Sequence, residues 1–347
     1  MEVVDPYRFG HYSRMLLFLA GVLEQMDLAL EHISTREVHD SRFGLMLTDN
    51  AIELVLHQIA KEKDLRLKAF YFSQPDYAHK RELVEALGGS FDAKLKFARI
   101  EGMISEERSR TIKILHSLRN ELYHVGLQHE AILPDLADLY FDTACQFLAR
   151  YEPYGLSWIS NQKLPERAKK YFKGPESFPA RPDDFRNACS ELEIACAHDS
   201  TQTVESLADH MEHVVSECDT YIDIIAGGIY VGQQKPRDAA IVDCQAWPLA
   251  FTKEGQLFAK EHGWAGENVL QLAEWLGQNY PFRLKRDPVS SWRKQVARLR
   301  SKKNPHVALF NYQSFMDATS SIREALYENA AQVEIEIDRL IDQRRGK

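Results

Sequence analysis

Apolar residues recur three and four positions apart along most of this chain, and this spacing limits its fold more than any other feature. Because an α-helix has 3.6 residues per turn, such spacing gathers the apolar side chains into one stripe. The pattern is clearest in residues 12–33 and 42–61. The apolar positions there are Leu16, Leu19, Ala20, Leu23, Met26, Leu30, Leu45, Leu47, Ala51, Ile52, Val55, Leu56 and Ile59. The sequence therefore predicts an all-α protein.

Further helices follow from the same spacing and from residues that begin or end helices. Gly88 and Gly89 are typical of a helix end, and Pro134 is tolerated in a first helical turn. The predicted segments are 77–87, 91–100, 105–125, 134–151, 185–197, 203–225, 253–262, 267–279 and 312–344. Between Ile229 and Pro248 the pattern allows a short extended segment or a hairpin.

Between residues 153 and 184, prolines and glycines interrupt the regular spacing of apolar residues. These are Pro153, Gly155, Pro165, Gly174, Pro175, Pro179 and Pro182. A length of 347 residues also fits two domains better than one. We therefore predict a helical bundle over 1–152, a Pro/Gly-rich linker over 153–184 and a mostly helical domain over 185–347.

Composition narrows the function classes. The formal net charge is −8, which excludes a generally cationic nucleic-acid coat and leaves only local basic patches for such binding. The five cysteines are few and odd in number, which favours a reducing compartment over a disulfide framework. No apolar run approaches the roughly 20 residues that cross a bilayer. We expect a cytoplasmic protein without membrane contact.

Residues 114–126 form a helix-like stretch with two chemically different faces. Helical spacing places Leu115, Leu118, Leu122 and Val125 in an apolar stripe. A second stripe contains a permanent cation, two imidazoles, an amide and a phenol, from Arg119, His116, His124, Asn120 and Tyr123. An ordinary solvated face mixes glutamate and lysine. This stripe lacks that mixture, so we predict a functional site here.

These residue types suit RNA cleavage without a metal ion. The reaction needs one group to accept the 2′-hydroxyl proton, one to protonate the leaving 5′-oxygen, and positive charge near phosphorus. An imidazole such as His124 can transfer protons, and a guanidinium such as Arg119 offers a planar fork of donors. Asn120 lies one turn before His124 and can orient it or contact phosphate. We predict these three as catalytic residues, with His116 and Tyr123 contacting substrate.

The segment Arg119-Asn120-x-x-x-His124 resembles the R-x4-H signature of the HEPN superfamily, and the resemblance covers about residues 10–150. Its members are small α-helical domains, many of them metal-independent endoribonucleases of toxin and antiviral systems. The resemblance implies a homodimer whose two motif helices share a cleft. It also implies RNA as the substrate and a possible antitoxin or defence-system partner protein. Products would carry 2′,3′-cyclic phosphate and 5′-hydroxyl ends.

Two alternatives stay open for this helix. Its polar cluster can instead pair with carboxylates of a neighbouring helix and serve the fold alone. Some HEPN domains have also lost catalysis and act as RNA-binding, nucleotide-binding or regulatory modules. Asp49, Asn50 and Glu53 on the second predicted helix bear on both alternatives. A carboxylate there can orient Arg119 or His124, or it can form an internal salt bridge.

Residues 283–303 form a basic segment with a local formal charge of +8. Phe282 and Trp292 are interleaved with it. Basic groups neutralise phosphates and aromatic rings stack on bases, a combination typical of single-stranded nucleic-acid grooves. We predict Arg293, Lys294, Arg298 and Arg300 as RNA contacts. The alternatives are a basic helix that pairs with acidic helices such as residues 328–338, or an interface with a protein partner.

Other site chemistries have weaker support. His210 and His213, with Cys189, Cys196 and His198 upstream, are metal-ligand types, but their spacing matches no structural zinc pattern. The sequence also lacks the G-x-S-x-G, G-x4-G-K-[ST] and H-E-x-x-H motifs. We predict neither a metal site nor a cofactor.

Overall fold

The protein is an all-α structure, as predicted. In the computed structural model, the described residues are 6–69, 77–124, 130–153, 163–173, 181, 183–230 and 232–346. For residues 6–14 and 122–124 the structure describes the backbone but not the side chains. Within the described residues there are thirteen α-helices, two short 3₁₀ helices and no β-strand.

The helices follow one another along the whole described chain. They are α1 (Pro6–Ile33), α2 (Val38–Ala69), α3 (Lys80–Ala86), α4 (Phe91–Ile100), α5 (Glu106–His124), α6 (Leu133–Leu148) and α7 (Asp184–Cys196). The remaining six are α8 (Ser200–Gly227), α9 (Arg237–Ala250), α10 (Lys253–Glu261), α11 (Val269–Asn279), α12 (Val289–Arg300) and α13 (Pro305–Arg344). The 3₁₀ helices are Glu130–Ile132 and Ala168–Tyr171. Each helix predicted from apolar spacing overlaps one of the thirteen.

Helix α9 replaces the extended segment or hairpin that the sequence allowed, so that expectation is wrong. Pro248 lies inside α9 and Pro236 immediately precedes it. Proline usually interrupts helices, which hid the helical period of this segment. The period is nevertheless present, because Ala240, Ile241 and Cys244 are buried along one side of the helix. Tertiary packing outweighs the local cost of proline here.

The chain divides into two compact units, one of residues 1–206 with 303–310 and one of 207–302 with 311–347. The predicted linker at 153–184 stays a prediction, and much of it, residues 154–162, 174–180 and 182, lies outside the described residues. In the first unit α1 packs along α2, and α2 also contacts α4, α5 and α6. Helix α7 packs against α1 and α6.

The core of the first unit is formed by the apolar stripes of these helices. Its largest fully buried side chains include Leu16, Leu19, Leu23, Met26, Leu45, Ile52, Leu56, Phe97, Tyr140, Phe141 and Phe147. Gly44 allows α2 to approach the end of α1, because a Cβ at this position would collide with Ile33. Asp49 lies in the same stripe of α2 as Leu45 and Ile52 and is equally buried. A carboxylate thus occupies a core position.

The second unit has its own cores. Helices α9, α10 and α11 enclose apolar side chains, among them Ala246, Ala250, Ala259, Leu272 and Leu276. Helix α12 is amphipathic, and its buried Trp292 meets Phe315 of α13 edge to face, with ring centroids 5.8 Å apart. No described helix combines the length and the apolar character that a membrane span requires.

Candidate functional site

Helix α5 carries the predicted site and turns its apolar side toward the core of the first unit. Ile112 and Leu115 are fully buried and Leu118 is nearly so. His116 and Arg119 lie beside this stripe and are half-buried. Because they flank the core, their side chains can reach groups on α2, α4 and α6 that bulk water does not surround.

Asp49 of α2 is the centre of a hydrogen-bonded network, and its side chain is 0% exposed. His116 Nδ1 donates to Asp49 Oδ1 over 2.9 Å. Arg119 donates to Asp49 Oδ2 from Nε over 2.8 Å and from Nη2 over 2.5 Å. The Tyr140 hydroxyl of α6 donates to Oδ1 over 2.5 Å. We call these four residues the Asp49 network.

The network keeps its central carboxylate ionised. Burial alone would raise the pKa of a carboxyl group. The hydrogen bonds from His116, Tyr140 and Arg119 outweigh that burial and hold the pKa of Asp49 below its usual value. Burial, reinforced by the charge of Asp49, raises the pKa of Tyr140 well above its usual value. Tyr140 therefore remains a protonated donor, and Asp49 remains a charged acceptor.

The imidazole of His116 is fixed on two sides. Its ring stacks on Phe91 of α4, with centroids 3.6 Å apart and planes inclined by 3°. Since Asp49 is an ionised acceptor, Nδ1 of His116 carries the proton of their hydrogen bond. Nε2 has no hydrogen-bond partner among the described residues, and the His116 side chain is 15% exposed. One ring nitrogen is therefore left without a partner at the edge of the network.

Arg119 uses only part of its guanidinium fork for Asp49. Its side chain is 26% exposed, and Glu53 Oε2 lies 4.0 Å from Nη2, beyond hydrogen-bond distance. Among the described residues, none bonds to Nη1, since the Arg119 bonds run from Nε and Nη2. The guanidinium is therefore held rigidly and keeps the Nη1 donors for another acceptor.

Formal charges around the Asp49 network are balanced. Lys94 of α4 is buried and donates to Glu53 over 2.8 Å. Asp49 and Glu53 are thus matched by Arg119 and Lys94 when His116 is neutral. The sequence left open whether a carboxylate of the second helix orients a site residue or forms an internal salt bridge. Asp49 does both, because its salt bridge with Arg119 also orients the guanidinium. Asn50 plays no part here, since it is exposed and donates to Gln25 over 2.8 Å.

The other predicted residues of α5 are only partly covered by the structure. Asn120 is half-buried, and no described residue shares a side-chain hydrogen bond with it. Tyr123 and His124 belong to α5 by backbone, but their side chains lie outside the described residues. The same holds for Leu122, and Val125 lies entirely outside. The structure therefore brings together His116 and Arg119, and the positions of the Tyr123 and His124 side chains stay predictions.

Sequence reasoning missed two members of the site, the Tyr140 hydroxyl and the Phe91 ring. Tyr140 lies in the predicted helix 134–151, but nothing near it in sequence indicates its partner, which lies 91 residues away. Asp49 did have a signal, because it interrupts an otherwise apolar helical stripe. A buried carboxylate needs donors, so its place in that stripe already predicted a polar network.

Helix α12 carries the central part of the predicted basic segment. Val289, Trp292, Val296 and Leu299 are buried and leave the basic side chains on the exposed side. We call that side, with Arg293, Lys294, Arg298 and Arg300, the α12 basic face. Trp292 is only 6% exposed, so the expectation that it stacks on bases is wrong. Phe282 packs against the core of α9 to α11.

Two of the four basic residues are already paired. Arg293 contacts Asp219 over 2.9 Å and Glu212 over 3.6 Å. Arg300 contacts Asp209 over 2.7 Å. These acidic residues belong to α8, whereas the alternative had pointed to residues 328–338. Among the described residues, none forms an ion pair with Lys294 or Arg298, which are exposed and one helical turn apart.

The remaining candidates do not assemble into a metal centre within the described residues, where no group of three or more ligand-type side chains is suitably placed. His210 instead shares a 2.9 Å hydrogen bond with Tyr312, and His213 lies 3.6 Å from Glu217. The chain matches no protein-family model, no curated protein and no solved structure. We therefore infer function from the chemistry of the Asp49 network.

Proposed function

We propose that the protein is an endoribonuclease that needs no metal ion and cleaves RNA through attack of a 2′-hydroxyl on the adjacent phosphate. One observation carries this proposal: the buried Asp49 fixes His116 and Arg119 on the helix that also contains Asn120 and His124. Donors fixed in advance stabilise developing charge without reorganising during the reaction.

Each residue has a role that its chemistry supports. Arg119 directs its Nη1 donors to the non-bridging phosphate oxygens, where charge grows in the transition state. His124 protonates the 5′-oxygen as the bond to phosphorus breaks. Asn120 orients His124 or contacts phosphate, and Tyr123 contacts the substrate. The products are a 2′,3′-cyclic phosphate and a 5′-hydroxyl, because the substrate's own 2′-oxygen is the nucleophile.

The α12 basic face is proposed to bind the RNA backbone. Its contribution comes mainly from Lys294 and Arg298, since Arg293 and Arg300 already pair with α8. Lysine and arginine contacts to phosphates release condensed counterions and are insensitive to base sequence. This face would therefore raise affinity for RNA in general and leave the choice of cleavage site to the first unit.

The HEPN resemblance of α5 supports two further parts of the proposal. The first is a homodimer, in which two copies of α5 line one cleft and double its Arg119 and His124 side chains. The second is a role as a toxin or anti-phage effector, controlled by an antitoxin or another defence-system protein. Sedimentation equilibrium of the purified protein tests the first part.

A second candidate function is a non-catalytic RNA-binding or nucleotide-binding protein, or a regulatory subunit of a defence assembly. Charge balance around the Asp49 network favours it. Because Asp49 and Glu53 offset Arg119 and Lys94, the site attracts a phosphate less strongly than an unpaired arginine would. In this candidate the network stabilises the fold, and RNA binds without being cut.

Incubation of the full-length protein with a labelled transcript of defined sequence, in the presence of a chelator, separates the two candidates. We expect fragments with 2′,3′-cyclic phosphate and 5′-hydroxyl ends. His124→Ala and Arg119→Lys should each slow cleavage by about 100-fold or more while circular dichroism stays unchanged. Retention of RNA without any new ends would favour the non-catalytic candidate.

A further inference from the structure

We propose that His116 is the general base of the cleavage reaction and that Asp49 is the residue that positions it. The inference rests on the proposed ribonuclease function and deepens it. The R-x4-H resemblance assigns proton transfer to His124 alone, and the sequence predicts His116 only as a substrate contact. The structure adds a second imidazole with a defined orientation.

A carboxylate bonded to one imidazole nitrogen makes the other nitrogen a better proton acceptor. The bond from Nδ1 to Asp49 fixes the tautomer and stabilises the positive charge that appears when Nε2 takes a proton. Stacking on Phe91 prevents the ring from turning away. Nδ1 is bonded to Asp49, so Nε2 is the nitrogen that remains for substrate on a side chain that is 15% exposed.

Asp49 also holds His116 beside the phosphate-binding group. His116 bonds to Oδ1 of Asp49 and Arg119 bonds to Oδ2. Residues three apart on a helix are neighbours, with Cβ atoms about 5–6 Å apart. In our proposal a phosphate binds the Nη1 donors of Arg119, and its adjacent ribose lies at Nε2 of His116. One buried carboxylate sets the position of both groups.

The proton balance of the step then closes with groups of this chain. Nε2 of His116 takes the proton of the 2′-hydroxyl as the 2′-oxygen bonds to phosphorus. The bond between phosphorus and the 5′-oxygen breaks with its electron pair, and the 5′-oxygen receives a proton from His124. His116 ends protonated beside the ionised Asp49, and His124 ends neutral. Exchange with water resets both imidazoles before the next turnover.

His116→Asn is the variant that separates this role from a structural one. The asparagine amide places an N–H donor near the position of Nδ1, so Asp49 keeps a hydrogen-bond partner. The accepting nitrogen at the Nε2 position disappears. A purely structural role therefore predicts wild-type cleavage by His116→Asn, whereas the general-base role predicts a loss of about 100-fold or more at saturating RNA. Affinity for uncleaved RNA should change less than about threefold in either case.

Two further readouts belong to the same experiment. The first is the pH dependence of kcat/KM. The charged or titratable groups around His116 are Asp49 and Glu53 of α2, Lys94 of α4, Tyr140 of α6 and Arg119 of α5. Asp49 stays ionised and Tyr140 stays protonated, so neither makes the rate change with pH near neutrality. Only removal of the base should abolish the rise of the rate with pH that an imidazole base causes. Added imidazole should restore cleavage by His116→Ala, because it supplies the proton acceptor that the variant lacks.

The outcomes are distinct. Slow cleavage by a folded His116→Asn protein, with the pH limb lost and imidazole rescue of His116→Ala, supports His116 as the base. Wild-type cleavage by His116→Asn, with an unchanged pH profile, overturns the inference and leaves the ribonuclease proposal standing. Failure of the wild-type protein to cut any RNA overturns both.

Discussion

The Asp49 network and the α12 basic face contain the same kinds of side chain in opposite settings. Arg119 is 26% exposed and bonds to a carboxylate that is 0% exposed. Arg300 is 39% exposed and bonds to Asp209, which is 69% exposed. In the first region pairing occurs in the core and fixes direction. In the second it occurs in water, where it contributes little to stability and is screened by salt.

This difference shows why a basic residue in a sequence does not by itself predict a free charge. Arg119 and Arg293 were both predicted to meet RNA, and each is paired with an acidic residue at least 70 positions earlier. What remains for a ligand is different in the two cases. Arg119 retains directed donors in a fixed plane, whereas Lys294 and Arg298 retain whole charges on flexible stems.

Removal of one paired carboxylate from each region should give the largest difference, measured as the loss in the free energy of unfolding. Asp49→Ala leaves Arg119, His116 and Tyr140 without their common acceptor in the core, and we expect a loss of about 3–5 kcal/mol in the free energy of unfolding. Asp209→Ala is the matched control on α8 and should cost at most about 1 kcal/mol. Urea unfolding followed by circular dichroism measures both. Equal losses would mean that burial of Asp49 has no energetic consequence.

Asp142 of α6 shows what burial does to a carboxylate that lacks the hydrogen-bond donors of Asp49. Burial, followed by the charge of Glu193, raises the pKa of Asp142 to about 6. The unfolded chain loses this proton nearer pH 4, so ionised Asp142 destabilises the fold increasingly between pH 4 and 6 and fully above pH 6.

Asp142→Asn should therefore raise the free energy of unfolding by about 1–2 kcal/mol at pH 8 and leave it unchanged at pH 4. The amide retains the oxygen that accepts from Gln146. Thermal unfolding at the two pH values is the measurement. A stabilisation of the same size at both pH values would show that packing, and not the buried charge, is responsible.

Substitutions in the α12 basic face should have a smaller effect, which falls on RNA affinity. Its size should depend on which residues are changed. Lys294→Ala with Arg298→Ala should weaken binding of single-stranded RNA by about tenfold at 0.15 M salt and flatten the plot of log affinity against log salt by about 1.4. The double variant Arg293→Ala with Arg300→Ala removes charges that α8 already neutralises. Its plot of log affinity against log salt should therefore flatten less. Equal slopes for the two double variants would contradict the division between paired and unpaired residues.

Most of the helices could be predicted because their apolar residues keep a helical period. Helix α9 was not predicted, because Pro236 and Pro248 are residues that usually end helices. The amphipathic character of α12 was also visible, yet Trp292 was assigned to stacking on bases when its spacing from Val289 and Val296 already placed it in the core. Proximity to basic residues in sequence was weaker information than helical spacing.

The Asp49 network could be predicted only in part. The polar face of α5 and the carboxylate on α2 were both visible in the sequence. Their direct contact was not, since it depends on how α2, α5 and α6 pack, and so does the choice of Asp49 over Glu53 as the central acceptor. The hydroxyl of Tyr140 and the ring of Phe91 reach the site from two other helices and have no local signature.

The central claim is that this site cleaves RNA by means of the 2′-hydroxyl, and two oligonucleotides of the same sequence test it most directly. One is entirely RNA, and the other has 2′-hydrogen in place of 2′-hydroxyl at the position that the protein cuts in the first. We predict that the substituted strand binds with similar affinity and is not cut at that position, whereas the RNA strand yields a 2′,3′-cyclic phosphate there. Cleavage of both strands at equal rates would contradict the account.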